Sequence, residues 1–208
     1  VDNLEILWTP PITAKAANEA EAWSLIEAKK AEILSIVGEY CYGIDDDSLA
    51  SKLVEMLLDN GLTISAAESL TAGLFQSELA EIPGVSSALV GGVVTYSEQA
   101  KIEQLGILPE LIAQHGVVSS ECAAAMAFNV REKFGTHIGV GLTGVAGPGP
   151  QDDEPAGTVW IGLSIGQEPP VTYRLQLSGS RNTNRLRAVK FTCSYLMRKL
   201  VEKGYKKK

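Results

Sequence analysis

Residues 62–73 read LTISAAESLTAG and place a serine between an apolar run and an amphipathic stretch. The apolar run is typical of a buried strand, and the stretch that follows is typical of a helix. Ser69 is therefore expected at a strand-to-helix turn, where the N–H groups and dipole of the first helical turn can stabilise an oxyanion. A serine at this place can equally be a simple helix cap. These residues alone leave both interpretations open.

A second junction of the same kind carries a lysine. The run VVTY at residues 93–96 predicts a strand, and Lys101 falls in the first turn of the helix predicted after it. The positive end of a helix dipole disfavours an ammonium ion there, and desolvation acts in the same direction. A lysine kept neutral can serve as a general base. Taken alone, Lys101 can also be a solvated surface residue.

A third strand leads into a loop rich in glycine. Residues 138–142, IGVGL, predict a buried strand, and residues 143–150, TGVAGPGP, follow it directly. Glycines allow the backbone to approach a ligand closely. Open α/β sheets bind ligands beyond the carboxyl ends of their strands. Three such junctions at one edge of a sheet would therefore form a site.

The order of elements predicts a three-layer α/β/α domain. After a linker helix at residues 47–59, strands are expected near 62–66, 88–96, 137–142, 157–166 and 171–177, and helices near 70–81, 98–105, 119–134 and 182–202. The last two strands, separated by QEPP, predict an antiparallel hairpin. We therefore expect a mixed sheet with helices on both faces.

Composition excludes several classes of protein. The chain has 208 residues, 45% of them hydrophobic, enough for one core of roughly 150 residues and a small satellite. No apolar run approaches the roughly 18 residues that a membrane span needs, and no basic-then-apolar stretch suggests secretion. The expectation is a soluble cytoplasmic protein that does not bind membranes.

Cysteine and histidine are scarce. Cys41, Cys122 and Cys193 are far apart, which favours buried thiols over disulfides or a zinc site. His115 and His137 are the only histidines, so a Ser-His-Asp triad would need one of them beside the serine by accident of folding. Lysine is therefore the natural candidate for a base.

Charge differs between the two parts of the chain. Residues 1–60 carry 12 acidic and 4 basic residues, whereas residues 61–208 carry 13 acidic and 14 basic residues. In the second part, Arg181 and Arg185 open the last predicted helix and share one face of it. Arginines at a helix start are favoured when an anion such as a phosphate lies between them and the free N–H groups. The alternative is a solvated arginine-rich turn.

Five segments of the chain, in this order and spacing, resemble the CinA C-terminal family: AESLTAG at 67–73, GGVVTYS at 91–97 with Lys101, HGVVS at 115–119, TGVAGP at 143–148 and PAGTV at 155–159. The resemblance runs from about Ser48 to Leu200. It implies a nicotinamide-nucleotide amidohydrolase that converts nicotinamide mononucleotide to nicotinate mononucleotide and ammonia. It also implies a homodimer, and it implies no metal or organic cofactor.

The same resemblance implies roles for individual residues. Ser69 would be the nucleophile and Lys101 its base. Backbone N–H groups around Leu70 and Thr71, or around Thr143 and Gly144, would hold the oxyanion. The residues expected to bind or orient substrate are Thr71, Tyr96, Thr143, Gly144, Gly147, Arg181 and Arg185, with either arginine on the 5′-phosphate.

The chain departs from the family pattern at three positions near the expected site. Leu70 and Ala72 stand where the family usually has Cys and Gly, and Glu154 stands where it usually has Lys. The first two changes could tighten the turn after Ser69. The third places an anion near the expected phosphate or ribose.

Residues 1–45 are similar to part of the KH-like linker domain of long CinA proteins. The segments that carry this similarity are EILWT at 5–9, the helical stretch 19–37 and GEYCYG at 38–43. The domain prediction is thus a partial KH-like α+β segment over 1–45 and the amidohydrolase domain over 46–208. The segment is acidic and has no Gly-x-x-Gly loop, so it is not expected to bind nucleic acid.

Two other functions are compatible with the sequence. The family is named for competence and damage induction, so the chain could be a regulatory or partner-binding module. It could also bind a nucleotide without turnover. An intact Ser69 and Lys101 pair favours the enzyme, because an interaction module has no physical need for both.

Overall fold

The computed structural model describes residues 11–38, 41–151 and 153–205. The chain divides into two units, Val1–Lys52 and Leu53–Lys208. In the first unit, α1 (Glu19–Val37) is the predicted helix, and the Asn18 side chain caps it by accepting from Glu21 N–H. Residues 5–9 lie outside the described residues, so the KH-like assignment stays a prediction.

The second unit has the predicted alternation of strands and helices. Its strands are β1 (Ile64–Glu68), β2 (Leu89–Val94), β3 (Ile138–Gly144), β4 (Thr158–Ile165) and β5 (Val171–Gln176). The helices are α2 (Leu49–Asp59), which begins in the first unit, then α3 (Leu74–Ala80), α4 (Glu98–Leu105), α5 (Pro109–His115), α6 (Ser120–Phe134) and α7 (Arg181–Glu202).

The five strands form one mixed sheet in the order β2-β1-β3-β4-β5. β1 is parallel to β2 and β3, whereas β4 is antiparallel to β3 and β5. Glu68 at the end of β1 lies opposite Val94 of β2 and Leu142 of β3. The carboxyl ends of the three parallel strands therefore meet at one edge, as predicted.

Helices cover both faces of this sheet. On one face α6 lies directly on the backbone, since a Cβ added at Gly141 or Gly162 would come within 2.1–2.4 Å of a carbonyl of α6. Neighbouring strand residues point to the opposite face. There Tyr173 of β5 stacks on Tyr195 of α7 with ring centroids 4.4 Å apart. The three-layer α/β/α prediction is confirmed.

Two details differ from the sequence-based prediction. The helix expected over residues 70–81 begins only at Leu74, because residues 69–73 form a turn. The sequence pattern also does not predict α5, which at seven residues is too short to show a clear apolar period. Its one local sign is Pro109, which stands at the start of the helix, where proline is favoured.

All three cysteines belong to the described part of the chain, and none of them is in a disulfide bond. Cys122 and Cys193 are buried, as expected. No helix within residues 11–38, 41–151 and 153–205 has the length and apolar character needed to cross a membrane.

Candidate active site

A pocket lies at the edge of the sheet where β1, β2 and β3 end. Its lining includes Ser69, Tyr96, Lys101, Arg181 and residues 143–147. These residues come from the three strand-to-loop junctions and from the start of α7. The structure thus brings together seven of the nine residues expected in the site, and leaves Thr71 and Arg185 outside the lining.

Ser69 and Lys101 are in direct contact at the base of this pocket. Lys101 Nζ donates to Ser69 Oγ at 3.1 Å and to the backbone oxygen of Thr95 at 2.9 Å. Lys101 is 1% exposed and Ser69 is 8% exposed. The solvated-surface interpretation of Lys101 is therefore wrong.

The surroundings of Lys101 are buried. Burial raises the pKa of the nearby Cys122 thiol to about 11, against the opposing effect of the Lys101 charge. Cys122 is a member of the hydrophobic core, and its thiol stays protonated at neutral pH. The arrangement suits a lysine that exchanges a proton with a neighbouring hydroxyl.

Glu68 occupies the helix start that was expected to serve the oxyanion. Its carboxylate accepts hydrogen bonds from the backbone N–H groups of Gly73, Phe75 and Gln76 and from the Gln76 side chain, at 3.0–3.1 Å. Glu68 is completely buried. The expected use of the first helical turn for the oxyanion is thus wrong. Ser69 is also not the cap of α3, because Gly73 holds that position.

The turn after Ser69 contains a non-glycine residue in the left-handed region. Ala72 has φ of 51°. A side chain at such a φ costs about 1–2 kcal/mol. Within the turn, Ala72 N–H donates to Ser69 O at 3.0 Å. The turn therefore carries backbone strain beside Ser69 and remains closed by this hydrogen bond.

We expect Ala72→Gly to raise the free energy of unfolding by about 0.5–1 kcal/mol, because glycine removes the strain but loses more entropy on folding. Urea denaturation measures the change. Ala124→Gly in the middle of α6 is the matched control, and it should lower stability by about 1 kcal/mol. A loss of stability in both variants would show that the turn is not strained.

The two arginines of α7 have different partners. Arg181 lines the pocket, where its Nη1 donates to Gly147 O at 3.1 Å and its Nη2 to the Tyr96 hydroxyl. Arg185 instead donates from Nε to Leu70 O at 3.0 Å and from Nη2 to Thr71 O at 2.8 Å. The two arginines thus share a helix face but bind different segments: Arg181 binds Gly147 and Tyr96, and Arg185 binds the turn after Ser69.

The two threonines expected in the site also differ. Thr143 lines the pocket, and its hydroxyl donates to Val117 O at 2.6 Å. Thr71 is completely buried, and its hydroxyl has no hydrogen-bond partner within the described part of the chain. Thr143 is thus at a position where it can contact a bound substrate, whereas the Thr71 side chain is not.

Glu154, the anion that departs from the family pattern, is turned toward β5. Its carboxylate accepts from Arg174 Nη2 at 2.8 Å. It is not among the residues that line the pocket. The negative charge of Glu154 is therefore paired with Arg174, outside the pocket lining.

The histidines do not complete a triad with Ser69. His137 precedes β3, at the opposite edge of the sheet, and its Nδ1 contacts Thr63. His115 ends α5, with Nδ1 3.6 Å from the carboxylate of Glu121. Neither histidine lines the pocket, whereas Lys101 contacts Ser69 directly.

Residues 46–200 match the family described as CinA C-terminal domain. A competence-damage inducible protein of Lysinibacillus sphaericus is 70% identical over 197 residues, which are 95% of this chain and 47% of that protein. Another, from Listeria welshimeri, is 48% identical over 179 residues, 86% of this chain and 43% of that protein. The chain spans about half the length of the curated relatives it matches.

Solved structures show the same fold. A CinA superfamily protein of Klebsiella pneumoniae aligns with a TM-score of 0.72 and 30% identity, over 74% of this chain and 96% of that one. One of Escherichia coli aligns with a TM-score of 0.70 and 28% identity, over 77% of this chain and 96% of that one.

Proposed function

This chain belongs to the CinA C-terminal domain family, and we propose that it hydrolyses nicotinamide mononucleotide to nicotinate mononucleotide and ammonia. The observation that carries the proposal is the buried contact of 3.1 Å between Ser69 Oγ and Lys101 Nζ. It lies at the end of a pocket that also presents an arginine and a tyrosine. Ammonia release from this nucleotide is the experiment that tests it.

The proposed reaction is nucleophilic catalysis with one base. Lys101 takes the proton of Ser69, and Oγ attacks the carboxamide carbon to form a tetrahedral oxyanion. Lys101 then returns the proton to the leaving nitrogen, and ammonia departs from an acyl-enzyme. Lys101 then deprotonates a water that adds to the acyl carbon, and it returns that proton to Ser69 Oγ as the ester bond breaks. The acid product leaves as the carboxylate after losing its proton to solvent.

The carbonyl of Thr95 supports Lys101 in this role. It accepts from Nζ at 2.9 Å while Nζ also faces Ser69. A fixed acceptor on the far side restricts the positions that the flexible lysine side chain can adopt. The catalytic nitrogen is thereby held within hydrogen-bond reach of the hydroxyl before substrate binds.

Gly144 is our proposed oxyanion donor from β3. Val145 N–H donates to Thr158 O of β4, whereas Leu142 O accepts from Ser69 N–H on the β1 side. Backbone groups alternate in direction along a strand, so Thr143 N–H faces β4 and Gly144 N–H faces the end of β1 beside Ser69. Leu70 N–H is the proposed second donor, because Leu70 lines the pocket.

Arg181 is the proposed phosphate ligand. It lines the pocket, and its guanidinium is held by Gly147 O and the Tyr96 hydroxyl. A guanidinium at this place can bind two phosphate oxygens at once. Arg185 donates to the backbone carbonyls of Leu70 and Thr71 and does not line the pocket, so it is not proposed as a phosphate ligand.

We expect Arg181→Ala to lower kcat/KM for nicotinamide mononucleotide by about 10-fold to 150-fold, which corresponds to about 1.5–3 kcal/mol for a charge-assisted hydrogen bond. The loss should be much smaller for nicotinamide riboside, which lacks the phosphate. Steady-state kinetics of wild type and variant on both substrates measures the coupling.

Arg187→Ala is the matched control for this experiment. Arg187 lies in the same helix, donates to Ser178 O at 3.0 Å, and does not line the pocket. Its removal should leave both substrates unaffected. If Arg181→Ala leaves the ratio of the two kcat/KM values unchanged, Arg181 does not read the phosphate.

A regulatory or partner-binding module is the alternative, and the relatives are named competence-damage inducible proteins. Against it stands the place of the Ser69 and Lys101 pair, which is buried and lines the pocket. Lys101 is 1% exposed, whereas an interaction surface would present its charged residues to solvent. The enzyme accounts for this burial and the module does not.

A further inference from the structure

The segment that carries Ser69 is held by few bonds of its own. Ala72 N–H donates to Ser69 O at 3.0 Å, and Leu74 N–H donates to Thr71 O at 3.1 Å. Ala72 is strained, with φ of 51°. We call residues 69–73 the nucleophile turn. Such a turn needs support from outside to keep one conformation.

Glu68 supports one end of the nucleophile turn. Its buried carboxylate binds the N–H of Gly73, the last residue of the turn, and the N–H groups of Phe75 and Gln76. The backbone of Glu68 is bonded to Ser69, the first residue of the turn, and its side chain binds Gly73, the last residue. Glu68 thus connects the two ends of the turn. A charged acceptor at the positive end of α3 strengthens these bonds.

Arg185 supports the other end. Its Nε and Nη2 donate to the carbonyls of Leu70 and Thr71, two consecutive residues that follow Ser69. The peptide group is planar, so a fixed Leu70 carbonyl fixes the direction of Thr71 N–H, which points away from Arg185. Arg185 thus fixes the two peptide groups that follow the proposed donor Leu70 N–H, and it does not itself line the pocket.

We propose that Glu68 and Arg185 are positioning residues that clamp the nucleophile turn, one through its N–H groups and the other through its carbonyls. The catalytic role of the clamp rests on the proposed function: the clamp keeps Ser69 Oγ beside Lys101 Nζ and holds Leu70 N–H in place. It also assigns Arg185 a role other than phosphate binding. The clamp itself is a property of the turn and can be measured without turnover.

The test uses Arg185→Ala with Arg187→Ala as its control. We expect faster hydrogen–deuterium exchange in peptides covering residues 69–76 of Arg185→Ala, with no change in the control. On nicotinamide mononucleotide and on its riboside alike, kcat should fall about 100-fold with little change in KM, as expected for a misplaced catalytic group. Guanidinium ion added at millimolar concentration should partly restore kcat.

Glu68→Gln provides a second variant. In wild type both carboxylate oxygens of Glu68 accept N–H groups, and in the variant an amide NH₂, which can only donate, replaces one of them. The same loss of kcat on both substrates is expected if the variant folds, and Arg185→Ala keeps the proposal testable if it does not. Arg185 would instead be a phosphate ligand if Arg185→Ala raised KM for the nucleotide alone. Unchanged exchange at residues 69–76 would overturn the clamp.

The outcomes separate this proposal from the function itself. Faster exchange in Arg185→Ala together with inactive wild-type protein would support the clamp and overturn the amidohydrolase. Unchanged exchange and unchanged kcat in Arg185→Ala, with active wild-type protein, would overturn the clamp and leave the amidohydrolase intact.

Discussion

Ser69→Ala is expected to lower kcat for nicotinamide mononucleotide by about 10⁴-fold or more, since loss of a nucleophile removes the covalent route. Stability should change little. Ser69 is not the cap of α3, and its hydroxyl is bonded to Lys101, so the change in unfolding free energy should stay within about 1 kcal/mol. Ammonia release and urea denaturation measure the two effects.

Ser77→Ala is the matched control, because Ser77 is an exposed serine of the neighbouring helix α3. It should keep wild-type kcat. Intact-mass spectrometry after rapid quenching adds a direct observation, since wild type should carry a nicotinate-nucleotide adduct that Ser69→Ala lacks. A Ser69→Ala protein that keeps more than about a tenth of wild-type kcat is incompatible with a nucleophilic Ser69.

Lys101→Arg is expected to be nearly as inactive as Lys101→Ala, with kcat lowered by about 10³-fold or more in both. A guanidinium stays protonated and cannot accept the proton of Ser69. Lys101→Met serves as the variant that keeps the volume of the buried side chain, and its stability should be close to wild type. Steady-state ammonia release measures all three.

Lys133→Arg, at the exposed end of α6, is the control for the lysine-to-arginine change and should remain fully active. If Lys101→Arg is also active while Lys101→Ala is not, Lys101 contributes only its positive charge. The base would then have to be a different group near Ser69.

The junctions that form the site could be predicted from the sequence. Each is an apolar run followed by a polar or glycine-rich turn, and parallel strands present such turns at one edge. The scarcity of histidine also pointed to Lys101. The distance of 3.1 Å between Lys101 Nζ and Ser69 Oγ could only come from the structure, because 32 residues separate them in the chain.

The start of α3 could not be predicted. Local patterns place a helix directly after Ser69, whereas the carboxylate of Glu68 caps the N–H groups of residues up to Gln76. A glutamate at a strand end gives no sign that it will turn back onto the next helix. Its carboxylate therefore replaces the expected oxyanion contact at this helix start.

The separate partners of Arg181 and Arg185 could not be predicted either. Residues four apart share a helix face, so the sequence gives both the same expected role. Arg181 bonds Gly147 and Tyr96, 34 and 85 residues away, whereas Arg185 bonds Leu70, 115 residues away. Only the tertiary packing of α7 distinguishes them.

The central claim is that this chain is an amidohydrolase that uses Ser69 and Lys101, and the measurement is product formation by the purified chain with nicotinamide mononucleotide. We predict ammonia and nicotinate mononucleotide in equal amounts over many turnovers, with no product from Ser69→Ala under the same conditions. Folded wild-type protein that forms no more product than Ser69→Ala would contradict the claim.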